Sequence, residues 1–531
     1  MQSMSGNHSG SRAFSVLAVL GVFGLAVSLS VYQELMEDVP WHLKIGQWIW
    51  QHHAVPQVDF YSFTRAGQEW LDAQWLFQII CYLSYEFLGE PGITALTLTL
   101  TLLLLLVSLA AVPGRVPWGL RSLAGVVFLL SLSSRLACRP ELLSFLCMAL
   151  LFFFLERALR GRTRFLIAVP LVQVVWVNCE GLWPLGWGIL GAYLGDYLLQ
   201  ARSDPAFSWK RPLPAAWATA AGCSLLAGAL QPYGLRGLLF PLTLLQEVTQ
   251  PSNLLKQSVI EFWPLLGQHW VPGIAIPFLL LAFMAAAVTL AAGKKLRPGL
   301  SLLGLALIVL ALRSRRNVGV ASVVLLPLLL LHLEFLLQKP LLLRRGETLS
   351  RWASLLALAG AVVFALLSQV PQVRTWDGSG RERGVGLSAE WFPRQAAEFL
   401  WQLGYRGNLI NDDRTGGYLI WYGWPDWKVF YDSRMELGGE AANRLYFRVF
   451  SDPLAFRAVA EQYHVDAVLV HYSWPYYRNF LARLLTEPDW ALVYQDPRYA
   501  VCLRRSPEWQ RVIEQTEITI KGSELDIGHL H

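Results

Sequence analysis

Carboxylate and arginine side chains are gathered into a few short polar segments of an otherwise apolar chain. Arginine suits phosphate because its planar guanidinium donates two parallel hydrogen bonds and stays charged. A carboxylate opposite such groups suits a reaction in which a base deprotonates an acceptor while cations hold a phosphate leaving group. The first polar segment holds carboxylates and imidazoles, at Glu34, Glu37, Asp38, His42, His52, His53, Asp59, Glu69 and Asp72. Later segments hold arginines or further carboxylates, in SRLACRPE (134–141), NCEG (178–181), QPYGLR (231–236), VIEFW (259–263) and RSRRN (313–317).

The composition places these segments in a membrane protein. The 531 residues are 54% hydrophobic and 15% charged, whereas a soluble globular protein carries about 25% charged residues. The net charge of +6 is spread over loops, and no basic tract indicates a nucleic-acid partner. The six cysteines are scattered without metal-site or disulfide spacing, so we interpret them as free thiols. The adjacent His52 and His53 point different ways on a helix, so no metal site is predicted there.

Apolar runs close to the length that crosses a bilayer predict about eleven transmembrane helices within residues 1–370. Alternate loops between them are rich in arginine and lysine, which predicts that those loops and the N-terminus are cytoplasmic. The large first loop, 34–91, and everything after residue 370 then lie outside. The run 73–87 is too short to span, and we predict a helix in the outer interface. The predicted spans are 14–33, 93–112, 119–134, 141–155, 165–178, 181–199, 214–230, 271–292, 299–312, 317–337 and 352–369.

After residue 370 the pattern predicts an external α/β domain at 371–505, followed by a polar tail at 506–531. Asp432 and Arg434 follow a predicted strand, either as binding groups or as an ion pair that braces the sheet edge. The pair Gly416–Gly417 predicts a tight turn, and no nucleotide fingerprint follows it. Predicted helices are WFPRQAAEFLWQLGY, DPLAFRAVAEQYHV and YRNFLARLL, and predicted strands are GNLIND, GYLIWY, KVFYD, DAVLV, ALVYQD and YAVCLR.

The placement of the charged groups narrows the predicted chemistry. Nucleotide-sugars are confined to the cytoplasm, so a sugar donor that meets external carboxylates must carry its own membrane anchor. A polyprenyl-phosphate sugar satisfies this requirement. For any single arginine the alternative is that its side chain reaches from a span end to lipid head groups.

The first polar segment resembles a bacterial family of GT-C-like integral-membrane glycosyltransferases that use polyprenyl-phosphate sugars. That family carries D-x-x-W-H-L-x-x-G near the end of the first span, then I-P-x-x-D-x-x-S-x-T and W-x-x-x-x-W-L. The run DVPWHLKIGQWIWQHHAVPQVDFYSFTRAGQEWLDAQWL, residues 38–76, resembles all three, with Val55 in place of the isoleucine of the second motif. Further matches cover nearly the whole chain, at RPELLSF (139–145), WVNCEGLWPLG (176–186), QPYGLRGLLFP (231–241), RSRRN (313–317), NDDRTGGYLIW (411–421) and VFYDSRMEL (429–437).

The resemblance implies an inverting glycosyltransferase with Asp38 as the catalytic base. Asp59 is a candidate second acid, and the alternative is a turn residue that caps FYSF. His42, one helical turn from Asp38, and Trp41 are expected beside the substrate, although a histidine filling a polar interface would look the same. The resemblance implies no cofactor; a divalent cation is compatible with it but not indicated.

Arginines of the external ends are expected to hold the carrier phosphate, with Arg139 and Arg316 preferred over Arg313 and Arg236. Glu180 and Glu261 either line the same cavity or simply pair with these arginines. The C-terminal domain is expected to help bind the acceptor. The remaining candidates for substrate binding are Asn178, Tyr233, Asn317, Tyr418, Asp432 and Arg434.

Several functions remain open from the sequence. The leading expectation is transfer of a sugar from a polyprenyl-phosphate carrier to a glycan, lipid or protein acceptor. The same arginines would suit a diphosphate carrier, as in an oligosaccharyltransferase or an O-antigen-type ligase. A lipid-linked glycan flippase would need charged or broken spans near the midplane, whereas these charges lie at span ends. A non-catalytic scaffold with the same architecture is the last alternative.

Overall fold

The structure, a computed structural model, describes residues 5–114, 116–203, 212–249, 260–267, 270–293, 296–368, 370 and 380–518. The chain divides into two compact units. The first is drawn from Met1–Glu34 and Phe87–Gly386, and the second from Leu35–Glu86 and Leu387–His531. The polar first loop therefore belongs with the C-terminal residues. The domain boundaries drawn from composition, at 370 and 505, stay predictions.

The first unit is helical, and each of the eleven predicted spans overlaps a helix, although several extend a few residues beyond its ends. Among the residues that the structure describes, six helices are long and apolar enough to cross a membrane: Ala13–Ser30, Glu90–Ala110, Pro140–Leu159, Pro272–Ala292, Asn317–Leu337 and Arg345–Leu367. The prediction of a polytopic helical membrane domain is confirmed. The helices are α1 Ser5–Ser30, α4 Glu90–Ala110, α5 Trp118–Leu132, α6 Pro140–Leu159, α7 Ala168–Val177, α8 Pro184–Ser203, α9 Pro212–Ala227, α10 Gly234–Thr249, α11 Pro272–Ala292, α12 Pro298–Arg313, α13 Asn317–Leu337 and α14 Pro340–Leu367.

Proline lies in the first turn of several of these helices, including α4, α6, α11 and α12. Proline is tolerated in the first turn because the amide hydrogen that it lacks would have no partner inside the helix. The apolar faces then pack against one another: α1 packs on α14 and α5, and α11 packs on α13 and α5. The helix α13 lies deep in this bundle, since 83% of its most apolar stretch is buried.

A network of buried ion pairs joins α6, α8 and α13 to the residue that precedes α12. Arg297 Nε lies 2.9 Å from Asp196 Oδ2, and Arg297 Nη1 lies 3.2 Å from Glu156 Oε2. Arg160 pairs with Glu156 at 2.7 Å and with Glu334 at 2.6 Å. Paired in this way, the charges tolerate burial that an isolated charge would not.

The second unit contains a five-stranded sheet in the order β2-β1-β3-β5-β4. The strand β1 pairs in parallel with β2 and β3, whereas β5 pairs antiparallel with β3 and β4. The strands are β1 Gly407–Asn411, β2 Trp427–Val429, β3 Val465–His471, β4 Trp490–Gln495 and β5 Tyr499–Arg504. The helices are α2 Asp38–His52, α3 Trp75–Leu88, α15 Arg394–Gln402, α16 Asp413–Gly423, α17 Met435–Ser451, α18 Pro453–Gln462, α19 Pro475–Leu484 and α20 Gln510–Thr516.

The first loop is built into this sheet. The amide of Phe63 donates to Val429 O at 3.0 Å, and the amide of Val429 donates to Tyr61 O at 3.1 Å, so the loop adds a short edge beside β2. The helix α3 confirms the predicted helix at 73–87; its place in the outer interface stays a prediction. At Gly46 a Cβ atom would lie 2.1 Å from Gln78 O, and α2 and α3 approach closely at this glycine.

One predicted strand of the C-terminal domain is wrong. GYLIWY lies in α16, because the side chain of Asp412 accepts hydrogen bonds from the amides of Arg414 and Thr415 and begins a helix there. The pair Gly416–Gly417 is accordingly inside a helix rather than in a turn. A Cβ atom on Gly416 would lie 2.1 Å from Tyr431 O. The helix α17 was not predicted, and α20 continues the fold into the predicted polar tail.

Candidate functional site

Asp38 is the first residue of α2, and two neighbouring groups donate hydrogen bonds to its carboxylate. Ser433 Oγ donates to Asp38 Oδ1 at 2.6 Å, and Trp41 Nε1 lies 3.3 Å from the same oxygen. Trp41 Nε1 also donates to Ser433 Oγ at 3.0 Å. The carboxylate is partly exposed and lies in the first turn of the helix. Asp38 is therefore held in one orientation.

Glu37 precedes Asp38 in the chain. Burial, together with the nearby carboxylates of Asp38 and Asp413, raises the pKa of Glu37 to about 7 against the opposing charge of Arg414. The Arg414 guanidinium lies 4.0 Å from the Glu37 carboxylate. A carboxyl group that changes charge near neutral pH thus lies next to the predicted base.

The helix α16 packs against α2, and three predicted site residues, Trp41, His42 and Tyr418, lie in these two helices. A Cβ atom on Gly417 would lie 2.3 Å from Glu37 O and 3.1 Å from the Trp41 ring, so only glycine allows this approach. His42 is buried against the rings of Trp41, at 3.8 Å, and Phe77, at 5.4 Å. Tyr418 is also buried and stacks on a neighbouring aromatic ring.

Asp432 and Arg434 form a buried ion pair together with Arg65. Arg434 Nε lies 2.8 Å from Asp432 Oδ1, and Arg65 Nη2 lies 2.8 Å from Asp432 Oδ2. Burial alone would raise the pKa of Asp432, but Arg434 and Arg65 outweigh it and hold the pKa well below its usual range. The side chains of Asp432 and Arg434 are 0% exposed. Asp432 and Arg434 therefore have the geometry of an ion pair that braces the sheet edge, and not that of side chains open to a ligand.

Asp59 belongs to the same network. Its Oδ1 lies 2.8 Å from Arg434 Nη2, and it accepts hydrogen bonds at 3.2 Å from the amides of Tyr61 and Ser62. Its side chain is 0% exposed. The structure places Asp59 as the residue that caps the FYSF turn and neutralises Arg434. A catalytic role for Asp59 stays a prediction.

In the first unit, Glu261 lies between two arginines from the loop that joins α5 to α6. Its Oε1 is 2.6 Å from Arg139 Nη1 and 2.9 Å from Arg135 Nη1. Arg135 also lies 3.5 Å from Glu141. Burial would raise the pKa of Glu261, but Arg135, Arg139 and Arg316 outweigh it and hold the pKa well below its usual range. We call these five residues the arginine cluster.

The loop before α13 is fixed to the Glu261 segment through the backbone. The amide of Arg316 donates to Glu261 O at 3.0 Å, and Ser314 Oγ donates to the same oxygen at 3.1 Å. The amide of Arg315 donates to Trp263 O at 3.1 Å. The loop before α13 and the Glu261 segment are thereby joined at three points.

Glu180 and Asn178 lie near this cluster and have protein partners. Glu180 Oε2 accepts hydrogen bonds from Leu182 N at 2.7 Å and Ser144 Oγ at 2.9 Å. Burial raises the pKa of Glu180 to about 7, against the opposing charge of Arg316. Asn178 Nδ2 donates to Leu230 O at 2.9 Å. The remaining candidates are more open: Arg236 and Arg313 are exposed, Tyr233 is half-buried, and Asn317 Nδ2 donates to Leu310 O at 3.2 Å.

An apolar cavity of about 680 Å³ lies between α5, α11 and α14. Its lining includes Leu130, Trp270, Ile276 and Phe364. Leu130 is in the last turn of α5, five positions before Arg135, so the cavity reaches the end of α5 that leads to the arginine cluster. The volume lies within the range of small-molecule sites.

Comparison with solved structures decides the fold. The oligosaccharyltransferase of Archaeoglobus fulgidus in the apo form aligns with a TM-score of 0.55 and 12% identity, over 86% of this chain and 69% of that chain. ArnT from Cupriavidus metallidurans bound to undecaprenyl phosphate aligns with a TM-score of 0.51 and 14% identity, over 93% of this chain and 98% of that chain. Both are glycosyltransferases of the GT-C class. The chain has a GT-C fold. No family model matches the sequence, and a comparison with curated proteins finds no match either.

Two residues of this GT-C fold were missed as site candidates. Ser433 was not recognised because its partner Asp38 is 395 positions away. Arg315 is 5% exposed, and its Nε and Nη2 have no hydrogen-bond partner in the described structure. The RSRRN motif contained the signal for Arg315, but the flanking arginines were preferred. In the part of the GT-C fold that the structure describes, no three His, Cys, Asp or Glu side chains are grouped to hold a metal ion.

Proposed function

We propose that this protein is an inverting membrane glycosyltransferase that transfers a sugar from a polyprenyl-phosphate carrier to a glycan, lipid or protein acceptor. The observation that carries the proposal is Asp38, a partly exposed carboxylate oriented by Ser433 and Trp41 within a GT-C fold. Supporting hydrogen bonds of this kind lock a catalytic side chain in its productive orientation. Transfer takes place at the outer face of the bacterial cytoplasmic membrane, with the N-terminus inside and the C-terminal domain outside.

In the proposed reaction, Asp38 accepts the proton of an acceptor hydroxyl. The acceptor oxygen forms a bond to the anomeric carbon as the bond from that carbon to the carrier phosphate oxygen breaks. The phosphate leaves with the bonding electron pair, and a single displacement of this kind inverts the anomeric configuration. The positive charge of arginines stabilises the leaving phosphate in the transition state.

Arg139 and Arg316 are the proposed phosphate ligands, and Arg135 joins them because it shares the Glu261 carboxylate with Arg139. Arg236, Arg313 and the polar groups of Tyr233, Asn178, Glu180 and Asn317 would surround the head group and sugar. The apolar cavity beside α5 has the character needed to hold the first part of an isoprenoid chain. ArnT, which is similar in fold, was solved with undecaprenyl phosphate, and this supports a carrier of the same kind here.

A second candidate is an oligosaccharyltransferase or ligase that uses a diphosphate carrier. The fold likeness to the Archaeoglobus fulgidus oligosaccharyltransferase favours it, and that protein was also solved tethered to an acceptor peptide containing the NVT sequon. A flippase or scaffold would bind carrier without Asp38-dependent transfer.

The experiment compares wild type, Asp38→Asn and Asp489→Asn, each purified as the full chain and returned to lipid. Glycan analysis of a strain that lacks the protein identifies the missing product, and complementation then reports transfer. Asp489 is an exposed carboxylate of the same unit, so its variant controls for loss of charge. We expect Asp38→Asn to abolish transfer with unchanged abundance and thermal stability, and Asp489→Asn to behave as wild type. Normal transfer by Asp38→Asn would overturn the proposal.

A further inference from the structure

The arginines that we assign to carrier phosphate already hold a carboxylate of this chain. Glu261 Oε1 lies within 2.9 Å of a guanidinium nitrogen of both Arg135 and Arg139. Its backbone oxygen is fixed by Arg316 N, so only the side chain need turn to release the two arginines. The Glu261 side chain is 35% exposed, whereas those of Arg135 and Arg139 are 6% and 20% exposed. A phosphate that approaches the two guanidinium groups therefore meets this carboxylate.

The charge of the arginine cluster is nearly balanced. The cluster contains three guanidinium groups, of Arg135, Arg139 and Arg316, and two carboxylates, of Glu141 and Glu261. One net positive charge remains. The neighbouring Glu180 has a pKa of about 7 because it is buried, so its ionisation lowers the net positive charge further as pH rises through 7.

We propose that Glu261 selects the carrier by charge, so that the cluster accepts one phosphate and disfavours two. The inference rests on the proposed function, since it concerns the same phosphate site. A sugar linked through a single phosphodiester carries one negative charge, which the cluster balances. A diphosphate linkage carries two negative charges, and the second is repelled by the Glu261 carboxylate. Repulsion between like charges at such distances is strong where burial lowers the effective dielectric constant.

The proposed role of Glu261 differs from that of a structural brace because its effect on binding depends on the charge of the ligand. If Glu261 only held the loop, its removal would weaken or leave unchanged the binding of every ligand. If it selects by charge, its removal strengthens binding, and the gain increases with the number of negative charges on the ligand.

The test measures binding of hexosyl undecaprenyl phosphate and hexosyl undecaprenyl diphosphate, which carry one and two negative charges, to the full chain in nanodiscs of zwitterionic lipid. The variants are Glu261→Gln and, as a control for charge alone, Glu382→Gln, an exposed carboxylate of the same unit. We expect wild type and Glu382→Gln to prefer the monophosphate by about tenfold, and Glu261→Gln to lose that preference through tighter diphosphate binding. An unchanged ratio of affinities in Glu261→Gln overturns the inference.

Arg139→Gln supplies the opposite change, and it keeps the test decisive if Glu261→Gln does not fold. Removing one guanidinium should weaken diphosphate binding by a larger factor than monophosphate binding. Equal weakening of both ligands would contradict selection by charge. Failure of wild type to bind either carrier would instead remove the proposed function, so the two failures are distinguishable.

Discussion

Asp59→Asn tests whether the network around Arg434 is structural. In wild type, two carboxylates, of Asp59 and Asp432, face two guanidinium groups, of Arg434 and Arg65, and all four side chains are at most 4% exposed. Asparagine keeps the size of Asp59 but leaves one positive charge buried without a counter-ion. Breaking a buried pair in this way costs about 3–5 kcal/mol. For a domain of this size the loss corresponds to a fall of about 6–20 °C in Tm.

The assay is thermal unfolding of the full chain in detergent, followed by tryptophan fluorescence. The ring of Trp70 lies 4.9 Å from the Arg434 guanidinium carbon, so the signal includes a reporter next to the network. Asp489→Asn, at an exposed position, is the matched control and should unfold as wild type. The double variant Asp59→Asn/Arg434→Met leaves the Arg65–Asp432 pair balanced. It should be less destabilised than the sum of the two single variants.

Two results would refute this reasoning. A Tm of Asp59→Asn within about 2 °C of wild type would mean that the buried charge is not felt, since even 1 kcal/mol shifts Tm by at least that amount. An unchanged Tm together with lost transfer would support a catalytic role for Asp59. We expect the reverse pattern, in which the folded fraction of Asp59→Asn transfers sugar at the wild-type rate.

Three further predictions concern the surroundings of the base. Ser433→Ala removes the 2.6 Å hydrogen bond to Asp38, and we expect about tenfold lower kcat from a loss of about 1.5 kcal/mol, with KM unchanged and rescue by Ser433→Thr. Burial raises the pKa of Asp412 to about 7 from 3.8, so its contribution to stability is greatest at low pH and is lost as pH rises through 7. The measurement is the Tm of wild type and of Asp412→Asn between pH 5 and 8. The Tm of the variant relative to that of wild type should rise with pH; a constant difference would contradict the raised pKa of Asp412. Gly417→Ala places a Cβ atom 2.3 Å from Glu37 O and should lower both Tm and transfer; wild-type values for both would show that α2 and α16 need not touch.

Apolar segments were the most predictable part of the fold. A hydrophobic run is a local property of the chain, and each of the eleven runs overlaps a helix in the structure. The strand prediction for GYLIWY is wrong because tyrosine, isoleucine and tryptophan favour strands in general. The preference was overridden by the cap at Asp412 and by the space that only glycine leaves at Gly416 and Gly417. Those are contacts with distant residues, which composition does not report.

The sequence predicts which types of residue the candidate site contains, but it does not predict which side chains pair with one another. The motif placed Asp38, Arg139 and Arg316 at polar ends of helices, where the structure has them. Whether a carboxylate is open or neutralised depends on residues hundreds of positions away. For this reason Asp59 and Asp432 were counted as possible ligands although both are enclosed with Arg434.

Ser433 and Asp38 are 395 positions apart, so the ribosome releases every apolar helix before the hydroxyl that orients this carboxylate is made. A chain cut short before residue 433 would still insert its helices in the bilayer but would lack that partner. Loss of this hydroxyl alone should slow transfer about tenfold, but such a chain would also lack the strands β3, β4 and β5. Stop codons before codon 433 should therefore yield a membrane protein without transfer activity.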